Sequence, residues 1–201
     1  MKKLFTIILL VLAISFSYSQ ESKAYLGVGV GYATAGGDVA DTAFGTGLES
    51  GISLNFVNFG YRFSKGFGIT ANLSSSGHPI KEDDDDAVGV GSISAGPMIS
   101  VGISDKISWD FKPQYAFRMT GVVRGEGASL LGFDELTWHG NGFVIGNSIV
   151  MSQGKGFGWS IDIDYLSGKF TEMEADGETY DVEDDNSFSS LKIGVGVRYN
   201  F

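Results

Sequence analysis

The feature that most constrains the fold is a two-residue alternation that recurs from Ala24 to the end of the sequence. Successive side chains of a β-strand point to opposite faces, so apolar residues at every second position predict strands with one apolar face. No useful length of sequence after Ala24 has the 3.6-residue period of a helix. The sequence predicts an all-β domain of eight strands near residues 24–35, 48–63, 67–74, 88–103, 109–119, 138–151, 158–167 and 187–201.

The connections between these strands alternate between long and short. This rhythm, over an even number of antiparallel strands, is typical of small outer-membrane barrels, which have brief periplasmic turns and extended outer loops. We expect a closed eight-stranded antiparallel up-and-down transmembrane β-barrel with both chain ends on the periplasmic side. The long connections are predicted at residues 36–47, 75–87, 120–137 and 168–186, and the short ones at 64–66, 104–108 and 152–157.

The first residues have the pattern of a secretory signal peptide. Two lysines precede an apolar run over residues 4–14, and Ser17 and Ser19 follow it with the spacing of a cleavage site. The run is shorter than the roughly 20 residues that a membrane-spanning helix needs. We therefore predict a cleaved signal peptide at residues 1–19 and a single barrel domain at residues 20–201.

Composition excludes several classes of function. The chain has no cysteine, which excludes disulfides, thiolate metal sites, cysteine nucleophiles and lipid attachment at cysteine. Without the two lysines of the signal peptide, 12 basic residues face 24 acidic ones, so nucleic acid would repel the mature chain. Of the 24 acidic residues, 18 fall in the four long connections, which predicts one strongly negative rim.

The polar face of the strands indicates which side meets lipid. A water-soluble barrel needs long charged side chains on its outer face, but here the alternate positions hold mostly small residues, such as Gly27, Gly29 and Gly31. We therefore expect the apolar face to point into lipid and the small and charged residues to fill a lumen too narrow for a wide pore. The charges predicted in the lumen are Arg62, Asp110, Lys112, Arg118, Asp162, Asp164, Lys192 and Arg198.

The final strand, LKIGVGVRYNF, alternates throughout and ends on aromatic residues. With the signal peptide and the eight strands, it resembles small outer-membrane β-barrel proteins of the OmpA-like and OmpX-like kind over residues 21–201. The resemblance implies that Tyr199 and Phe201 are recognised by the outer-membrane assembly machinery. It also implies a monomer without cofactors that contacts outer-membrane lipid and lipopolysaccharide. The resemblance indicates location and fold but says almost nothing about activity.

Four places interrupt the strand pattern. Pro97 and Pro113 lie inside predicted strands of a barrel that has no free edge, so we expect bulges there. The adjacent apolar residues Phe56 and Val57 suggest a phase shift in the second strand. In the sixth strand, Asn147 breaks the apolar series, and the sequence leaves open which face of that strand meets lipid.

Two histidines, His78 and His139, are predicted at the outer ends of strands. A histidine at the lipid-exposed rim, together with a carboxylate such as Glu135, could act as a general base in a lipid A-modifying enzyme. Neither histidine belongs to a His-x-Ser pattern on one strand. We therefore expect polar rim residues and no enzymatic activity.

The acidic residues offer no strong metal site. Asp83, Asp84, Asp85 and Asp86 are weak candidates for a divalent cation, but they lack the alternate spacing and the glycine of a calcium loop, and a solvated loop is the favoured interpretation. Asp162 and Asp164 are expected to form salt bridges in the lumen with Lys192 or Arg198 and not to act as a catalytic pair.

The sequence thus favours an outer-membrane protein with a structural or surface-interaction role, whose long acidic loops face an unidentified extracellular partner. A lipid A-modifying enzyme and a soluble periplasmic barrel that binds an apolar ligand are the alternatives.

Overall fold

The structure, a computed structural model, describes residues 23–42, 47–64, 66–81, 83–124, 135–152, 155–175, 177–182 and 186–201. The signal peptide predicted at residues 1–19 lies outside them. The strands are β1 (Ala24–Ala33), β2 (Gly51–Arg62), β3 (Phe67–Ile80), β4 (Asp83–Ser104), β5 (Ile107–Arg124), β6 (Glu135–Ser152), β7 (Gly156–Ala175), β8 (Glu178–Asp181) and β9 (Ser187–Asn200). A short helix, α1 (Asp38–Thr42), follows β1.

Eight of these strands form a closed antiparallel ring. β1 to β7 pair in sequence order, and β9 pairs with β7 on one side and with β1 on the other. The short strand β8 lies outside the ring and pairs with the last residues of β7, from Glu172 to Ala175. The prediction of an eight-stranded closed barrel is confirmed. Within the described residues, no helix has the length and apolar character needed to cross a membrane.

The two ends of the barrel differ. At one end, here called the turn end, lie both termini of the ring and the connections β2–β3, β4–β5 and β6–β7. The opposite end is here called the loop end. Two of the loops predicted there are wrong, because the structure has strands in their place. β3 and β4 continue until Ile80 pairs with Asp83, so most of 75–87 is strand. β7 extends to Ala175 and turns back into β8, so most of 168–186 is also strand.

The irregular strands partly follow the expectations. The phase shift at Phe56 is confirmed, because the β2–β3 register changes between Asn55 and Val57. The bulges expected at Pro97 and Pro113 are wrong. The β4–β5 register is the same on both sides of them, which places the two prolines opposite each other. The two residues without an N–H donor therefore lie at the same point, and the hydrogen-bond ladder is interrupted once and not twice.

The face of β6 that the sequence left open is settled. Phe143 is 65% exposed on the outside, whereas Val144 and Ser148 are buried inside. Asn147 also points outward, where its side-chain oxygen accepts a hydrogen bond from Trp109 Nε1 at 3.2 Å. This bond satisfies a polar group that would otherwise be costly on an apolar surface.

An apolar belt covers the outer face from the turn end to the level of Phe143. Its side chains are widely exposed, with Val195 at 56% and Trp159 at 63%. Aromatic rings mark both edges: Phe157 and Tyr199 are in contact at 5.2 Å at the turn end, and Tyr115 and Phe143 at 5.4 Å at the other edge. Such a band with aromatic girdles is suited to hydrocarbon between two polar interfaces.

The interior has two tiers of different polarity. The polar tier fills the half nearer the turn end and contains Asp110, Lys112, Asp162, Asp164 and Lys192 with many serines. The apolar tier fills the half nearer the loop end. It contains Leu48, Ile80, Val88, Val90, Ala116, Met119, Val123, Leu136, Val144, Leu166, Phe170, Ala175 and Phe188, together with Ala40 from α1.

The seam that closes the ring is lined by glycines. Gly31 of β1 lies opposite Gly194 of β9, and a Cβ atom added to Gly31 would lie 2.6 Å from the Gly194 Cα. The contact is with backbone, which cannot move aside without breaking the ladder. The glycines therefore let the first and last strands approach closely enough to close the sheet.

We predict that Gly31→Ala lowers the free energy of unfolding by about 1–3 kcal/mol, because the added methyl group overpacks the seam. Gly102→Ala is the matched control, because its Cβ would meet nothing within 4 Å. Denaturant unfolding in detergent micelles, followed by gel migration without boiling, measures both variants. Equal midpoints for the two variants would contradict the role of the seam.

Candidate functional site

A charge cluster lies in the polar tier near the turn end, with Asp110 at its centre. The Asp110 side chain is 1% exposed, and its carboxylate accepts a hydrogen bond from Arg198 Nη1 at 2.8 Å. Arg62 Nη2 lies 3.3 Å from the same oxygen, and the Ser100 hydroxyl donates to the other oxygen at 2.5 Å. Two guanidinium groups and one carboxylate thus form a buried network that joins β2, β4, β5 and β9.

Tyr25 completes this cluster, and sequence reasoning did not single it out. The residue is 1% exposed, and the Arg198 guanidinium lies 4.4 Å from its ring centroid. The Arg62 guanidinium lies 5.7 Å from the same ring. Cation–π attraction therefore offsets part of the excess positive charge. Tyr25 shares the parity of Gly27 and Gly29 on β1, which is the signal that could have placed it inside.

A second cluster lies deeper in the lumen and consists of Lys112, Asp162, Asp164 and Lys192. Lys112 Nζ lies 3.8 Å from Asp162. Asp164 is opposite Lys192 in the β7–β9 ladder and interacts electrostatically with both lysines. Lys192 was expected near these acids and lies there. Arg198 was expected there as well, but it bonds to Asp110.

Small residues complete the second cluster. The hydroxyls of Ser148 and Ser160 donate to the two oxygens of Asp162, the latter at 2.7 Å. Lys192 Nζ donates to Ser74 Oγ at 3.2 Å. A Cβ on Gly196 would lie 2.7 Å from Ser160 Oγ and 3.1 Å from Asp162 Oδ2. The glycines and serines predicted to line the lumen therefore make room for the charges and bind them.

Arg118 is the predicted lumen charge that the structure places elsewhere. A bulge in β5 lies between Ala116 and Met119, where Phe117 and Arg118 both fall opposite Asn141 of β6. The extra residue shifts the alternation by one, so side chains beyond the bulge point to the face opposite to the one expected. Arg118 is therefore exposed on the outer surface, and Met119 is buried in the apolar tier.

His78 was expected at the rim but lies inside the barrel, fully buried at the loop end. Its Nδ1 is 3.1 Å from the Glu49 carbonyl oxygen, and its Nε2 is 2.9 Å from the Ser76 hydroxyl. The Phe188 ring packs edge-on at 5.9 Å. The position follows from the parity of β3, since His78 continues the inward series of Ser74 and Ser76.

His139 lies on the outer face of β6, beyond the belt. Its Nε2 is 3.4 Å from a carboxylate oxygen of Glu174 on β7. The carboxylate named from the sequence, Glu135, instead accepts a hydrogen bond from Thr137 at 3.3 Å. The proposed combination of His78 or His139 with Glu135 is therefore not present in the described residues.

The acidic run expected in a loop belongs to β4. Asp83 pairs with Ile80 across the tight turn, and Asp86 is buried. The side chains of Asp83, Asp84 and Asp85 lie outside the part of the chain described in atomic detail. Among the described residues, no group of three or more carboxylates or histidines is arranged to hold a metal ion.

Little free space remains in the lumen where the second cluster lies. A cavity of about 10 Å³ is lined by Ser53, Asn55, Asp162, Asp164 and Lys192, among others. This is about the room that one water molecule needs. The apolar tier then fills the barrel between this point and the loop end.

The two residues predicted to serve as an assembly signal lie at the turn end. Tyr199 and Phe201 are exposed on the outer face and are in ring contact at 5.2 Å. Tyr199 also contacts Phe157 of β7. They belong to the girdle of the belt at that edge.

No protein-family model matches the chain, and no curated protein matches it in sequence. Solved structures do match its fold. Neisserial surface protein A superposes with a TM-score of 0.62 and 12% identity, covering 91% of this chain and 100% of that one. Ail, the attachment invasion locus protein of Yersinia pestis, superposes in its complex with the heparin analogue sucrose octasulfate with a TM-score of 0.51 and 16% identity, covering 90% and 100%.

At these identities the likeness concerns the fold alone. The fold is that of the small outer-membrane β-barrels, which confirms the resemblance seen in the final strand and the strand count.

We predict that Asp110→Ala destabilises the barrel by about 3–5 kcal/mol, because it leaves two buried guanidinium groups without their carboxylate. Asp105→Ala, in the exposed β4–β5 turn, removes the same charge and should change stability by less than about 0.5 kcal/mol. Denaturant unfolding monitored by tryptophan fluorescence gives both values. A small loss for Asp110→Ala would mean that the cluster does not hold the four strands together.

Proposed function

We propose that the protein is an integral outer-membrane barrel with a structural or surface-interaction role and no wide pore. The observation that carries this proposal is the combination of an exposed apolar belt with a filled interior. The belt requires a lipid surface, since water would be a poor solvent for so large a contiguous apolar face. The two clusters and the apolar tier occupy the interior, which supports a lumen without a wide pore.

The orientation proposed is with the loop end outside the cell and the turn end, with both termini, in the periplasm. Short turns on the periplasmic side and longer extensions outside are general in such barrels. In this chain β3 and β4, and β6 and β7, continue beyond the belt and raise a sheet above it. Tyr199 and Phe201 then lie at the periplasmic interface, where the assembly machinery would recognise them.

The raised sheet is proposed as the interaction surface. On β7 and β8 it carries Glu172, Glu174, Glu178 and Asp181, all exposed. This charge would repel a polyanion such as heparin, so the ligand of the Ail complex is not proposed for this chain. A partner that presents cationic groups fits the surface better.

An enzyme acting on outer-leaflet lipid is the second candidate, and the His139–Glu174 contact on the outer surface is what supports it. A general base needs a nucleophile or water within hydrogen-bond reach, but His139 Nδ1 is buried away from solvent and has no hydrogen-bond partner among the described residues. We therefore propose that the pair is structural. An unchanged lipid A mass spectrum in cells that carry His78→Gln and His139→Gln would agree with this assignment, and a changed one would contradict it.

Single-cysteine labelling tests location and orientation, and the absence of natural cysteines makes the readout clean. We predict that Thr179→Cys on β8 reacts with a membrane-impermeant maleimide in intact cells. Ser64→Cys in the β2–β3 turn should react only after the outer membrane is opened. Val195→Cys, in the middle of the belt, should resist the aqueous reagent in both cases because hydrocarbon surrounds it.

Labelling of Ser64→Cys but not of Thr179→Cys in intact cells would reverse the orientation. Labelling of Val195→Cys in fractionated protein that remains soluble without detergent would favour a soluble periplasmic barrel instead. A partner experiment on the raised sheet is meaningful only after these outcomes are known.

A further inference from the structure

The outer surface changes from apolar to charged along one row of residues at the loop-end edge of the belt. In the ladder across β5, β6 and β7, Arg118 lies opposite Asn141, and Asn141 is paired with Lys169. All three side chains are exposed on the outside. Neighbouring strands are about 4.8 Å apart, so the backbones of the two basic residues are separated by about 10 Å across Asn141.

The sign of the charge in this row is unexpected for such a chain. The protein carries 24 acidic and 14 basic residues, and the next outward positions toward the loop end on β7 include Glu172 and Glu174. On β5 and β7, the first charged side chains beyond the belt are nevertheless the cations Arg118 and Lys169. Acidic residues begin only farther from the membrane.

The bulge in β5 is what brings Arg118 to this place. With a regular register, position 118 would point into the lumen, but the extra residue at Phe117 and Arg118 turns it outward. Bulges commonly redirect a side chain where a function requires it. The bulge thus interrupts the regular pairing of β5 with β6 and places the cation of Arg118 at the proposed membrane interface.

The surface directly below the row suits acyl chains. Phe117 is 56% exposed on the outer face that also carries Tyr115 and Phe143, and the rings of these two residues meet edge to face at 5.4 Å. A lipid whose chains pack on these rings would place its headgroup level with Arg118 and Lys169. Arginine binds phosphate through two parallel hydrogen bonds, and the Asn141 amide lies between the two cations as a further donor.

We propose that Arg118, Asn141 and Lys169 form a binding site for the phosphate of an outer-leaflet lipid. The site rests on the proposed function, because it requires the loop end of the belt to lie in the outer leaflet. It goes beyond that function by naming the residues and the headgroup chemistry that fix the barrel in its membrane. Basic residues at an interface attract anionic lipid and hold the protein at a defined depth.

The test uses the full barrel in detergent micelles and titrates it with phosphorylated lipid A, monitored by native mass spectrometry. The double variant Arg118→Gln/Lys169→Gln should bind about tenfold more weakly than the unmodified protein, since each interfacial cation contributes modestly. Lys106→Gln/Lys155→Gln is the matched control, because it removes two exposed cations from the turn end. Arg118→Lys/Lys169→Arg keeps both charges and should retain most of the binding.

Two further probes separate the lipid from a simple anion. Dephosphorylated lipid A should bind the unmodified protein about as weakly as phosphorylated lipid A binds the double glutamine variant. Inorganic phosphate at the same concentration should not compete, because it lacks the chains that pack on Phe117 and Phe143. Equal binding of both lipids, equal loss in the control, or displacement by inorganic phosphate would each overturn the site.

Failure of the site can be distinguished from failure of the proposed function. If Thr179→Cys is labelled on intact cells but the double glutamine variant binds lipid A normally, the orientation stands and the site is wrong. Gel migration without boiling verifies that each variant is folded before lipid is added. A variant that does not fold is replaced by its single-substitution forms, each expected to lose about threefold in affinity.

Discussion

Closure of the backbone hydrogen-bond ladder is the constraint on which the other features of this barrel depend. In hydrocarbon an unpaired N–H or C=O finds no water, so a spanning sheet must have no free edge. Here β9 closes the ring against β1 along a continuous register from Tyr25–Asn200 to Ala33–Lys192. Small residues on the inner face of that seam allow the approach, and the ring they close is narrow. Several charged side chains fit inside it because a glycine stands opposite them, as Gly27 does for Arg198 and Gly146 for Lys112.

The polarity of the outer and inner faces changes along a single strand. On β7, Trp159 and Ile161 face outward while Asp162 and Asp164 face inward, within the belt. Farther along, Lys169 and Glu172 face outward while Leu166 and Phe170 are buried inside. The faces exchange polarity as they would if lipid surrounded the first part and water the second, in agreement with the proposed location. Above the belt the hydrophobic effect acts as in a soluble protein and drives apolar residues into the interior.

This exchange explains what the sequence could and could not predict. The two-residue period was enough for the number of strands, the closed ring and the outward face of most of the belt, since these depend only on alternation. It was not enough for the ends of β3, β4 and β7, which were predicted as loops and are strands, with acidic residues in β4 and β7. Alternation also misplaced Arg118, because a bulge cannot be located without knowing the neighbouring strand. His78 was misjudged for another reason: a rim was assumed at a point where the barrel continues.

The buried charges of the polar tier have a consequence for how the barrel is made. Asp110 on β5 needs Arg62 from β2 and Arg198 from β9, and Asp164 on β7 needs Lys112 from β5 and Lys192 from β9. An open sheet lying in the bilayer would hold several of these ions with no counterpart, at a cost of several kcal/mol for each. Partly inserted forms are therefore strongly disfavoured. In the proposed membrane setting, strand insertion and charge neutralisation are therefore coupled, because Arg62 and Arg198 reach Asp110 across the lumen only when the ring is closed.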